Sequence, residues 1–143
     1  MEKTNFENLE IYELAERLAD DVWEIVISWD RLAQGTVGKQ LIRSSDSIGA
    51  NIAEGSGRGS EQDYRRFIRI ARGSLNETRH WLRRAFKRKL LTKVQIESLT
   101  PTIEKLTPKL NAYLGAIGNY KKKAATNGSD AEGLRPKTKG LSS

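Results

Sequence analysis

Residues 64–89 read YRRFIRIARGSLNETRHWLRRAFKRK. Tyr64, Phe67, Ile68, Ala71, Leu75, Thr78, Leu82 and Ala85 recur mainly at spacings of three and four, which places them on one face of an α-helix. Ser60 with Asp63 has the pattern of a capping box, so this helix is expected to begin near Ser60 and to close at Leu90-Leu91. The remaining face is cationic. Residues 65–89 hold ten arginines and lysines against one acid, Glu77, a local net charge of +9 in a chain whose total is +7.

Working outward, three further helices are legible. In the first, Ile11, Leu14, Ala15, Leu18, Val22, Ile25 and Trp29 form a core stripe. A second apolar stripe (Tyr12, Ala19, Trp23 and Val26) lies about 100° around the same helix. An arc that wide buries more than one side, and Tyr12, Trp23 and Val26 are expected at a subunit interface. Gln34-Gly35-Thr36 is read as a break, followed by a helix over about residues 37–54 with Val37, Leu41, Ile48 and Ile52 as core. Ser44, Ser45, Ser47, Gly49 and Ala50 make it small-sided. Gly49 costs about 1 kcal/mol against alanine in a helix, and close packing is expected to offset this. After a second capping pattern at Thr92 and Gln95, one phase runs through Ile96, Leu99, Ile103, Leu106, Leu110, Leu114 and Ile117. Pro101 and Pro108 interrupt that segment, so a kinked helix is expected, with two shorter helices as the alternative. No strand period appears. The fold class is all-α, an antiparallel up-down four-helix bundle over residues 1–120, with 121–143 as a disordered basic tail.

Composition narrows the function. There is no cysteine and one histidine, His80, so disulfides and an ordinary transition-metal site are excluded and no cofactor is expected. No apolar run reaches ~18 residues, so no membrane span is expected; the polar start lacks the apolar core of a signal peptide. A reducing cytoplasm is the natural compartment. No nucleophile–base pair is present, which argues against an enzyme. Gly55-Ser56-Gly57-Arg58-Gly59-Ser60 follows a helix instead of a strand and lacks the Gly-Lys-Ser/Thr ending, so it reads as a turn and not as a phosphate loop.

Arg43-Ser44-Ser45-Asp46-Ser47-Ile48-Gly49-Ala50-Asn51-Ile52-Ala53-Glu54-Gly55 is similar to the signature of a four-helix-bundle family first noticed as proteins encoded in intervening sequences of 23S ribosomal RNA genes. Arg43, Ser47, Ile48 and Asn51 to Gly55 match its arginine, Ser-Ile and Asn-Ile-Ala-Glu-Gly elements. Ala71, Gly73, Ser74, Leu75 and Glu77 resemble the next motif, and Phe6-Glu7-Asn8-Leu9 fits its start. The resemblance covers about residues 6–120. It implies a homopentameric barrel with a basic surface. It also implies kinship with the accessory variability determinant proteins of diversity-generating retroelements, which bind nucleic acid and partner a reverse transcriptase. The third helix is more basic here than in many relatives.

The candidate contact set is Arg65, Arg69, Arg72, Arg79, Arg83 and Lys87. They share a stripe about 110° from the core face, spanning roughly 33 Å at 1.5 Å per residue. Duplex DNA carries a phosphate charge every ~1.7 Å of axis, and arginine can bond phosphate bidentately. RNA or DNA backbone is therefore the expected partner, with little sequence selectivity. The competing reading pairs the stripe with the acids of residues 1–35, a segment of net charge −6, within one chain or between neighbouring subunits.

Overall fold

The computed structural model describes the backbone of residues 6–125 and the side chains of residues 9–115. Helix α1 spans Phe6–Val26, a single turn α2 spans Arg31–Ala33, and a π-helical segment over Gln34–Gly38 feeds α3, Lys39–Ser56. Helix α4 spans Glu61–Lys87 and α5 spans Lys93–Ala125. The described residues contain no strand. The four long helices form a bundle: α3 packs on α1 and α4, and α5 closes the other side against the same two. Helices α1 and α4 are therefore diagonal to each other.

The expected stripes meet in the centre. Ile11, Leu18 and Val22 of α1 are buried with Leu41, Ile48 and Ile52 of α3. Ile68, Leu75 and Leu82 of α4 join Leu99, Ile103, Leu106 and Leu110 of α5 in the same core. Each such side chain contributes about 1.5–3 kcal/mol over leaving it in water. Both capping patterns form. Ser60 Oγ accepts from the Asp63 amide at 3.1 Å. Thr92 Oγ1 accepts from the Gln95 amide at 3.1 Å while the Gln95 side chain accepts from the Thr92 amide at 3.0 Å.

Two local expectations are corrected, and the choice left open for the last helix is settled in favour of one helix. Gln34-Gly35-Thr36 is not a break but a wide helical turn. Gln34 Nε2 donates to the Val26 and Ile27 carbonyls at the end of α1, and Thr36 Oγ1 donates to the Leu32 carbonyl at 2.8 Å. The reversal comes earlier, before Asp30, whose carboxylate accepts from the Ala33 amide and starts the new helix. Gly49 is not under close packing, since an added Cβ would meet Ala15 and Tyr12 at ordinary distances of 3.6–3.9 Å. The close approaches are at Gly38, where a Cβ would come within 2.7 Å of Val26 Cγ1, and at Gly55, within 2.7 Å of Phe67 Cβ. Finally, α5 is one helix through both prolines. The hydroxyls of Thr100 and Thr107, each just before a proline, donate to the Ile96 and Ile103 carbonyls at 2.7 and 2.8 Å. The helix continues to Ala125, and residues 126–143 of the expected tail lie outside the described residues. The side chain of Ile117 does too.

Candidate nucleic-acid interface

Helix α4 carries the cationic stripe, and its length follows from its caps. Glu61 and Asp63 in the first turn and Arg84 and Lys87 in the last complement the helix dipole. At the far end the Leu90 amide bonds the Ala85 carbonyl and the Lys89 amide bonds that of Phe86, with Lys89 at φ 63°. This is a Schellman closure with lysine in the left-handed position that glycine usually takes.

The structure divides the six stripe residues into three exposed ones, two in a seam, and Arg65, which is half-buried. Arg69, Arg83 and Lys87 are exposed. Arg72 and Arg79 lie in the seam between α4 and α5. Arg72 donates to Asn111 Oδ1 at 3.2 Å. Arg79 donates to Thr107 Oγ1 at 2.7 Å and to Asn76 Oδ1 at 3.2 Å. Burial pulls the Arg79 guanidinium below its ordinary pKa, and the charge of Glu104 offsets part of that effect. Its Nε is buried without a partner, as is the Nε of half-buried Arg65. Arg72 and Arg79 thus hydrogen-bond neutral oxygens, so their charge is not cancelled by the bonds that hold them. Asn76, Thr107 and Asn111 were not legible as site residues. They became so only once α5 was placed beside α4.

The acids of α1 sit on the diagonal helix. Among the described residues no ion pair joins an α4 arginine to an α1 acid; the interhelical pair present is Lys109 with Glu10, at 3.4 Å between α5 and α1. Among the described residues the order of the helices thus keeps the stripe from pairing with α1 inside one chain. The turn at residues 55–60 is tied locally. Arg58 pairs with Glu54 at 2.8 Å, and the guanidinium carbons of Arg58 and Arg66 lie 4.9 and 4.6 Å from the Phe67 ring centre. His80 is exposed and packs edge-on against Trp81 at 4.7 Å. No group of three His, Cys, Asp or Glu comes together among the described residues.

The signature segment lies along α3 where it meets α4. The hydroxyls of Ser44 and Thr78 are 3.0 Å apart, and those of Ser47 and Ser74 are 2.9 Å apart. Asn51 donates to Ser47 Oγ at 3.0 Å and to the Ser47 carbonyl at 2.8 Å. With this geometry in view the comparison with known proteins is decisive, because the profile of the 23S rRNA-intervening sequence protein family matches residues 7–112. The chain belongs to that family. Among solved structures, this intervening-sequence protein is similar to a protein of unknown function from the S23 ribosomal protein family of Bacteroides thetaiotaomicron. The TM-score is 0.69 at 24% identity, covering 77% of this chain and 99% of that one. At that identity the likeness establishes the fold. No curated protein matches the chain.

The family signature is thus spent largely on the α3–α4 seam. Ser47 and Asn51 build it, while Arg43, Ala50 and Glu54 face outward. Of the three expected interface residues, Val26 is corrected: it is 2% exposed and belongs to the chain's own core, covering Gly38. Tyr12 is half-buried against Gly49, and its phenol is held above the ordinary pKa chiefly by its hydrogen bond with Glu16. Trp23 is 51% exposed. None of the described helices is long and apolar enough to cross a membrane.

Proposed function

We propose that this intervening-sequence protein is a non-enzymatic, homopentameric scaffold that binds the backbone of RNA or DNA along α4. The observation that carries the reading is that no cation of the stripe forms an ion pair among the described residues. Arg69, Arg83 and Lys87 stand free, Arg72 and Arg79 bond neutral oxygens, and the α1 acids lie across the bundle. A desolvated guanidinium with neutral partners gains from an anion more than one already salt-bridged. Trp81 and Phe67 sit on the α3 side of α4, away from the stripe, so base stacking plays no part in it. The resemblance to accessory variability determinant proteins adds a reverse transcriptase as the protein partner. A structural module without nucleic acid is the alternative, and the hydrogen bonds of Arg72 and Arg79 to α5 are what favour it.

The test is binding to a fluorescent duplex across a salt series. The expected result is a log–log slope of about −0.9 for each phosphate neutralised, and loss of binding in R69E/R83E/K87E with helicity and size unchanged. Undetectable binding at low salt, or binding indifferent to salt, would sink the proposal.

A further inference from the structure

Two outer faces of the bundle remain unpartnered and are opposite in charge. On α1, Trp23 and Ile27 are 51% and 49% exposed, with exposed Glu16, Asp20 and Glu24 around them. On α4, Ile70 is 41% exposed, and half-buried Trp81 lies about three turns further along the same flank, with Arg66, Arg84 and Arg88 bordering that line. Glu77 is the acid within the second face; it accepts from Trp81 Nε1 at a long 3.4 Å. Each face is an apolar line with charge along it, acidic on one helix and basic on the other. We infer that the α1 face of one copy docks on the α4 face of the next, head to tail. The inference deepens the self-association in the proposed function and rests on it.

The directions of the faces support a closed ring. Tyr12 of α1 faces α3 at Gly49, and Trp23 lies about three turns further along the same flank. Ser74 of α4 faces α3 at Ser47. Ile70 and Trp81 sit about one turn before and two turns after Ser74, rotated slightly outward. Both faces therefore flank α3, which occupies the corner between α1 and α4. Faces on neighbouring sides of a four-helix bundle point in different directions, so each head-to-tail contact turns the next copy the same way, as a closed ring requires. In such a ring α3 lines the inner side. The stripe over the α4–α5 seam stays outside, free for a polyanion. Exposed tryptophan in an apolar line ringed by charge is the usual make-up of a binding hot spot, and opposite charges on the two faces favour this pairing over like-with-like.

The deciding experiment uses two variants of the full chain, each damaged on one face only. One carries E16K, D20K and W23A; the other carries I70A, R84E and R88E. Circular dichroism checks folding and light scattering gives size. Wild type is expected to be a ring, each variant alone a monomer, and an equimolar mixture a 1:1 dimer, because the mixture restores one intact contact. Persistence of the ring in either variant, or a mixture that stays monomeric, overturns the face assignment and leaves self-association standing. A monomeric wild type overturns both.

Discussion

Toward α3, helix α4 presents Phe67, Ser74 and Thr78, and its two hydroxyls meet Ser47 and Ser44. Toward α5 it presents Arg72 and Arg79, which reach over the seam to Asn111 and Thr107. The first flank is short side chains under close backbone approach, with Gly55 fitted beneath Phe67. The second is long side chains across a seam that keeps their charge near the surface. One helix thus separates its duties by flank. The buried flank matches neutral donors to neutral acceptors, which low dielectric rewards. The open flank leaves positive charge unmatched, which is tolerable only with water or an anion beside it.

The contrast can be broken most strongly at Gly55. Gly55→Ala forces a Cβ to 2.7 Å from Phe67 Cβ, so a loss of about 1–3 kcal/mol is expected in urea unfolding. Next comes Thr78→Val, which fills the same space but removes the hydroxyl bonded to Ser44 in the buried seam, leaving Ser44 its bond to the Leu41 carbonyl; about 0.5–1.5 kcal/mol should be lost by the same measurement. A gain is expected at Gly49, on the opposite flank of α3, where Gly49→Ala finds ordinary contact distances and should stabilise by about 0.5–1 kcal/mol. The open flank should behave differently. Arg69→Gln should stay within about 0.5 kcal/mol of wild type in stability, yet flatten the salt dependence of duplex binding by about 0.9. The smallest effect concerns the α1–α3 side. Burial and the charge of Asp20 hold the Asp46 carboxyl above its ordinary pKa. A raised carboxyl pKa means the folded state holds its proton more tightly, so its ionisation costs stability as pH rises through that range. Asp46→Asn should therefore raise the melting temperature at neutral pH. The gain should vanish once the pH falls below the ordinary aspartate range.

Much of the fold was legible because helix signals are local. The core stripe of α4, from Phe67 to Ala85, and the caps at Ser60 and Thr92 each lie within a few residues of chain. The π-helical turn was missed because Gln34-Gly35-Thr36 carries breaker residues. Its actual support comes from Gln34 reaching back to carbonyls at Val26 and Ile27. Val26 was misjudged for a related reason: phase on α1 put it on the second stripe, but the arrival of Gly38 covered it. For the candidate site, the sequence located every cation but not its surroundings. Whether Arg79 bonds Thr107 or reaches an α1 acid depends on which helix is its neighbour.

By itself, then, the sequence determined the helices, their apolar faces, the bundle class and the concentration of charge on α4, since all of these follow from spacing and composition. The tertiary structure alone decided which helices are diagonal, and hence that the α1 acids cannot neutralise the α4 stripe. It also decided that Arg72 and Arg79 lean on α5 while Arg69, Arg83 and Lys87 stand clear. The physical reason is that electrostatic pairing acts over a few ångströms. Periodicity fixes the direction of a side chain about its own helix, whereas only packing fixes what lies at the end of it.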